Sequence, residues 1–117
     1  LDLRSWQPGA KDLSRLHLKN CDLRGLELPG ADLRASNLSL SDLRGANLAG
    51  ADLSGSDLEG ANFSGADLTD ADLSHTALSA TRFADDAEAA RVTGISLEGA
   101  WGLVEDQEEF LRSRGAI

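Results

Sequence analysis

The sequence predicts an all-β solenoid, and three observations predict it. A large apolar residue recurs at every fifth position from Leu13 to Phe83 without a break in register. Two residues before it stands, most often, a small one, as at Cys21, Ala31, Ser36, Ala46, Ala51, Ser56, Ala61, Ala66 and Ala71, with Asp or Asn usually between the two. Glycine recurs two positions after the apolar residue, from Gly25 to Gly65.

The period excludes the two simplest elements. A five-residue step turns a helix by about 140°, so the leucines would scatter around it instead of forming a stripe. In one long strand an odd spacing sends successive leucines to opposite faces. The pattern fits a chain in which the small residue, the Asp or Asn and the Leu form a short extended piece. The outer two side chains point inward and the middle one outward. The remaining two residues turn, and the second needs the positive φ of a type II turn, which favours glycine. Such a chain winds around its own leucines, and stacked coils bury one another's edges.

Taken in order, Leu1-Asp2-Leu3-Arg4-Ser5 already fits the repeat, whereas Trp6-Gln7-Pro8-Gly9-Ala10 puts Pro where Leu belongs. Residues 1–10 are therefore expected to form an irregular first turn, with Trp6 over the open end of the core. Lys11, Leu16 and Leu26 are long for the small inward position and predict a first full coil that is distorted or wider than the rest. After Phe83 the register fails. Acidic residues followed by Ala, with Gly94 beyond, predict a short helix over Ala84–Val92. Ile95-Ser96-Leu97-Glu98-Gly99 reads as one more, displaced block. Leu103–Arg114 is expected to be a second helix, acidic in its first turn, basic in its last and stopped by Gly115. Leu103, Val104, Phe110 and Leu111 mark its narrow apolar face. The chain thus divides into a repeat region, 1–83, and a C-terminal cap, 84–117, made of a short helix, one extra strand and the capping helix.

The blocks A-D-L-S-G (51–55), S-D-L-E-G (56–60), A-N-F-S-G (61–65) and A-D-L-T-D (66–70) closely resemble the pentapeptide-repeat family. The resemblance implies a right-handed quadrilateral β-helix of about four coils with a C-terminal α-helical cap, and four blocks, about 20 residues, to each coil. Leu3, Leu23, Leu43, Phe63 and Phe83 then share a column, in which Phe63 and Phe83 can stack. The tail from Gly94 to Gly115 is similar to the ending of the quinolone-resistance members of that family. It implies a homodimer joined through the C-terminal helix, by Leu103, Val104, Phe110 and Leu111, with DNA gyrase or topoisomerase IV as partner. Those relatives carry more coils, and their enzyme-contacting loop insertion is missing from the repeats here.

Charge divides the chain in two. Residues 1–45 carry seven basic and six acidic side chains, while residues 46–117 carry four basic and fourteen acidic, which accounts for the net charge of −9. No Lys or Arg occurs within 46–81. With coils stacked, Asp2, Asp22 and Asp42 share a face with Arg4, Arg24 and Arg44 and should neutralise it. Asp12, Asp32, Asp52 and Asp72 share another, where only Arg34 answers them. A rod with an anionic face repels nucleic acid and attracts basic grooves in proteins. The ordinary reading of these Asp residues is a brace for each turn through local hydrogen bonds.

Chemistry for catalysis is not in evidence. His17 and His75 fall at outward positions on different sides, and the glycines are turn glycines, with no phosphate-binding loop or zinc spacing. A single cysteine, Cys21, at a small inward position reads as buried and inert. No apolar run is long enough to span a membrane and no signal peptide is visible, so the cytoplasm is the expected location. Neither a cofactor nor a metal is expected. Two readings of function remain open. The first is a dimeric acidic DNA mimic that binds a type II topoisomerase and alters quinolone sensitivity, with Asp52, Asp57, Glu59, Asp67 and Asp72 as phosphate surrogates. The second is a structural scaffold or spacer with no topoisomerase target.

Overall fold

The computed structural model describes residues 2–5 and 12–117. The expectations for Trp6, Pro8 and Lys11 fall outside them. The chain is a four-sided coil in which parallel bridges connect middle residues 20 apart. Side 1 stacks Asp2, Asp22, Asp42, Asn62 and Arg82; side 2 stacks Glu27, Asn47, Asp67 and Arg91. Side 3 stacks Asp12, Asp32, Asp52, Asp72 and Ser96; side 4 stacks His17, Asn37, Asp57, Ala77 and Trp101. Each bridge is a pair of backbone bonds. Asp72 N–H donates to Ala51 O at 2.9 Å and Leu53 N–H to Asp72 O at 2.8 Å. The middle residue therefore faces the preceding coil with its backbone, and its two neighbours face the next.

This arrangement sends the large apolar residues to a common axis. Leu33, Leu53 and Leu73 stand above one another next to the bridged Asp column, each no more than 1% exposed. Phe63 and Phe83 are stacked with ring centroids 5.8 Å apart and planes 14° from parallel. Leu26, long for its inward position, is nevertheless buried, while Leu16 is only partly so. At most corners among the described residues a turn closes, as in Ala51 N–H to Leu48 O at 3.0 Å. The third turn residue has positive φ even where it is not glycine, at Arg15, Asn20, Ala35, Leu40, Asp70, His75 and Ala80.

Three turns close differently. The hydroxyl of a serine one coil further on is interposed between the donor and acceptor. Ser36 N–H donates to Ser56 Oγ at 3.1 Å, and Ser56 Oγ donates to Leu33 O at 2.9 Å. Ser36 relays Leu16 N–H to Leu13 O in the same way, and Ser41 relays Cys21 N–H to Leu18 O. These hydroxyls are buried, yet among the described residues every buried side-chain nitrogen or oxygen has a partner.

The helix expected over Ala84–Val92 does not form. An excursion stands in its place, closed by an antiparallel bridge between Ala84 and Ala89 and by Ala90 N–H to Phe83 O at 2.7 Å. Asp85 accepts the N–H groups of Ala87 and Glu88 at 2.9 and 2.7 Å, folding the segment back before a helical turn can propagate. The excursion adds four residues, so the bridge spacing rises from 20 at Asn62–Arg82 to 24 at Asp67–Arg91. A further block, Ala90-Arg91-Val92-Thr93-Gly94, then resumes the register with Ala90 and Val92 buried. It precedes the expected block at Ile95–Gly99 and helps build a final rung beyond those within 1–83.

The helix α1 spans Glu105–Ser113, shorter than expected at both ends. Glu105, Asp106 and Glu108 occupy its first turn, where the helix dipole favours acids, and Glu108 pairs with Arg112 at 3.3 Å. It packs on the last rung through Leu111, which is fully buried, and Gln107, whose Nε2 donates to Thr81 O at 2.6 Å. Beyond the helix the chain turns at Gly115 (φ 101°) and runs back along side 3, where Ile117 pairs with the edge of the last rung.

Candidate acidic interface

The outward-facing Asp and Asn residues are built into the turns that follow them. In each, Oδ1 accepts the N–H two residues on: Ser54 to Asp52 at 2.9 Å, Glu59 to Asp57 at 3.0 Å, Thr69 to Asp67 at 3.0 Å and Ser74 to Asp72 at 2.8 Å. The hydroxyls of Ser54, Thr69 and Ser74 donate to the same oxygens. The Thr69 hydroxyl, then its N–H, and then the Arg91 charge hold the Asp67 carboxyl below the usual carboxylate range. Among the described residues Oδ2 of Asp52, Asp57 and Asp72 accepts no hydrogen bond, so half of each carboxylate remains free for a partner.

The five acidic residues singled out from sequence do not share one face. Asp52 and Asp72 are stacked on side 3; Asp57 lies on side 4, with Glu59 exposed at the corner after it; Asp67 lies on side 2. They wrap three adjoining sides. Asp67 faces Arg91 at 3.9 Å, so this member of the set has a cation nearby. Side 1 carries a ladder of ion pairs. Arg4 binds Asp2 and reaches Asp22 at 3.4 Å, Arg24 binds Asp22 and reaches Asp42 at 3.7 Å, and Arg44 binds Asp42. Its neutrality was legible in the spacing, as was the lone Arg34 on side 3, which pairs with Asp32 at 2.7 Å.

The residues expected to join two copies differ in their exposure. Leu111 is fully buried inside its own chain, and Leu103 and Phe110 are partly buried against the core. The Phe110 ring is further covered by the Arg114 guanidinium, 4.6 Å from its centroid. Of the four, Val104 alone is exposed, at 62%. Trp101, at 58%, is the apolar neighbour that the sequence reading missed. It occupies the outward middle position of side 4, a place its spacing from Ala77 shows only once the four-residue excursion is counted.

Between α1 and the last rung lies a cleft of about 250 Å³ lined by Arg82, Phe83, Ala84, Asp106, Gln107 and Phe110. His17 is exposed on side 4 beside Asn37, and His75 is exposed at a corner. Among the described residues no group of three or more His, Cys, Asp or Glu is placed to hold a metal ion. No helix among them is long and apolar enough to cross a membrane.

Comparison with known proteins agrees with this geometry. The family described as pentapeptide repeats matches residues 12–48 and 46–84, in eight copies. Among solved structures, the pentapeptide repeat protein Rfr23 from the cyanobacterium Cyanothece 51142 is 35% identical with a TM-score of 0.61, over 76% of this chain and 54% of that one. The chain thus spans about half the length of Rfr23. A pentapeptide repeat protein from the Arabidopsis thaliana thylakoid lumen is 27% identical with a TM-score of 0.38, over 92% and 80% of the two chains. QnrB1, a plasmid-mediated fluoroquinolone resistance protein, is 18% identical with a TM-score of 0.29, over 88% and 70%. No match was found among curated proteins.

Proposed function

Since the chain belongs to the pentapeptide-repeat family, whose members form right-handed quadrilateral β-helices and generally serve as structural or interaction modules, we propose that it is a non-enzymatic interaction module presenting an anionic side to a cationic protein surface. The observation that carries this reading is the stacked, half-free carboxylates of Asp52 and Asp72, flanked by Asp57 and Glu59, in a stretch without Lys or Arg. Carboxylates repeated about 4.8 Å apart along a wall give a steep local field that recruits basic grooves. The sharpest form of the reading is a DNA mimic in the cytoplasm, which competes for the DNA-binding groove of gyrase or topoisomerase IV. A homodimer whose C-terminal ends meet would bring two such acidic halves together, with Val104 and Trp101 at the contact.

A supercoiling assay tests this form. The chain should inhibit gyrase or protect it from a quinolone, and the variant with Asp52, Asp57, Glu59 and Asp72 changed to Asn or Gln should lose the effect while keeping its fold. If the unaltered chain leaves both supercoiling and quinolone sensitivity unchanged, the topoisomerase reading is wrong. The Oδ1 hydrogen bonds that brace each turn favour a second reading, a scaffold in which the same Asp residues serve the coil alone. Under that reading the Asn and Gln variant keeps its binding partner, since Asn braces the turn equally well, as Asn47 and Asn62 do.

A further inference from the structure

The cleft between α1 and the last rung holds a half-finished piece of coil pairing. Within the coil, a middle residue takes two backbone groups of the coil before it: Arg82 N–H donates to Ala61 O at 2.8 Å, and Arg82 O accepts Phe63 N–H at 2.7 Å. Thr81 O and Phe83 N–H are the same two groups one coil on. They point the same way, because a C=O and the N–H two residues later share one side of an extended strand. On side 1 the element they meet is α1. Gln107 takes the place of a middle residue at Thr81 O, to which its Nε2 donates at 2.6 Å. It completes only that half of the pair. Among the described residues Phe83 N–H has no acceptor and Gln107 Oε1 has no donor.

Two side chains of opposite charge line the same cleft. Arg82 occupies the middle place that Asp holds lower on side 1, above the neutral Asn62. Arg44 and Arg91 each face an Asp, whereas the Arg82 guanidinium forms no ion pair or hydrogen bond among the described residues. Asp106 lines the cleft from α1, and its carboxylate accepts no hydrogen bond among them. The remaining wall is apolar, made by Phe83, which is 3% exposed, with Ala84 and Phe110. At about 250 Å³ the cleft falls just below the about 300–1,000 Å³ of drug-sized sites, which suits a body the size of a single amino acid.

We infer that this cleft binds a free α-amino acid with an apolar side chain. The ligand carboxylate accepts from Phe83 N–H and the Arg82 guanidinium. Its ammonium donates to Gln107 Oε1 and Asp106, and its side chain lies against Phe83, Ala84 and Phe110. A plain carboxylate answers Arg82 but meets Asp106 as a like charge; a plain amine answers Asp106 but leaves Arg82 and Phe83 N–H unmet. The zwitterion satisfies both walls, and a site built to hydrogen-bond a ligand group discriminates against the analogue lacking it. The site lies between side 1 and α1, away from the acidic columns of sides 3 and 4, so it stands or falls independently of the partner proposed for them.

Isothermal titration calorimetry of the whole chain with L-leucine and L-phenylalanine tests the site, together with the Phe83 amide signal in the nitrogen–proton spectrum. At least one of the two should bind, one molecule per chain, and shift the Phe83 amide proton downfield as it gains an acceptor. Arg82→Gln should weaken binding by about 10- to 100-fold, the worth of a hydrogen bond to a charged group. The analogue lacking the amino group and the analogue lacking the carboxylate should each bind at least about tenfold more weakly than the amino acid. Asp106→Asn should narrow the gap between the amino acid and the analogue without an amino group. Arg82 and Asp106 are both exposed, and circular dichroism establishes that each variant is folded. The inference is overturned if neither amino acid at millimolar concentration gives heat or moves the Phe83 amide, if Arg82→Gln binds as the unaltered chain does, or if either analogue binds as tightly as its parent.

Discussion

Replacing Ser56 by Ala isolates what an interposed hydroxyl contributes to the coil. Ser56 Oγ accepts from Ser36 N–H at 3.1 Å and donates to Leu33 O at 2.9 Å, and its side chain is 2% exposed. Its loss strands one buried donor and one buried acceptor, each costing about 1–3 kcal/mol when left unpaired. Direct closure of the Leu33–Ser36 turn, in the manner of Leu48–Ala51, can recover about 1 kcal/mol of that. The expected net loss is therefore about 1–5 kcal/mol. Thr81→Ala is the matched control. Thr81 Oγ1 also donates one coil back, to Leu58 O at 2.7 Å, but that carbonyl keeps its turn bond from Ala61 N–H at 3.0 Å. No group there is stranded, and the loss should be about 0.5–1.5 kcal/mol. Urea unfolding followed by far-ultraviolet circular dichroism measures both. If Ser56→Ala costs no more than Thr81→Ala, the hydroxyl is an ornament of the turn and the reasoning is refuted.

A double-mutant cycle on Phe63 and Phe83, each changed to Leu, should give a coupling of about 0.5–1.5 kcal/mol from the stacked rings; additivity within error would mean that they act only as bulk. Changing Ala80, held at φ 58°, to Gly should stabilise the chain by about 0.5–1 kcal/mol, because relief of the left-handed strain exceeds the added chain entropy, and a lower urea midpoint would contradict this. On side 1, hydrogen bonds from Arg24 pull Asp22 down to about 2, and Arg4 and Arg44 lower Asp2 and Asp42 in the same way, as Arg34 lowers Asp32 on side 3. A carboxyl lowered on folding stabilises the fold above its unfolded value near pH 4, and that contribution disappears as pH falls through the folded value. The melting temperature should hold steady from neutral pH to about pH 5 and then fall toward pH 2. Arg24→Gln should flatten the lower part of that fall.

The period of five made the coil legible because it excludes both regular alternatives, and the columns, the side 1 neutrality and the Phe63–Phe83 stack followed from it. The stretch immediately beyond Phe83 was misread for a definite reason. Ala84–Val92 is rich in Ala and acid, and its local preference is helical, but Asp85 captures two nearby N–H groups and Phe83 O captures Ala90. The signal that would have corrected the reading was present. Ala90, Val92 and Gly94 have the spacing of Ala61, Phe63 and Gly65, and Gly94, taken for a helix stop, sits at the turn position with φ 76°. The serine relays could not be read from any one block, since Ser56 acts on a turn a whole coil earlier. Leu111 was read on an apolar face that caps the last coil and joins a second copy, and the end of the coil buries it fully within one chain.

The excursion at the corner between sides 1 and 2 leaves both neighbouring columns in line: Arg82 stacks on Asn62 before it, and Arg91 stacks on Asp67 after it. Chain length at this vertex is therefore independent of the pitch of the coil. Lengthening the loop adds only a slowly growing closure entropy, about 0.6 kcal/mol for each doubling. A foreign peptide grafted between Asp85 and Glu88 would be displayed at a fixed height and azimuth on a stiff post, making this vertex a natural attachment point for epitopes or recognition sequences.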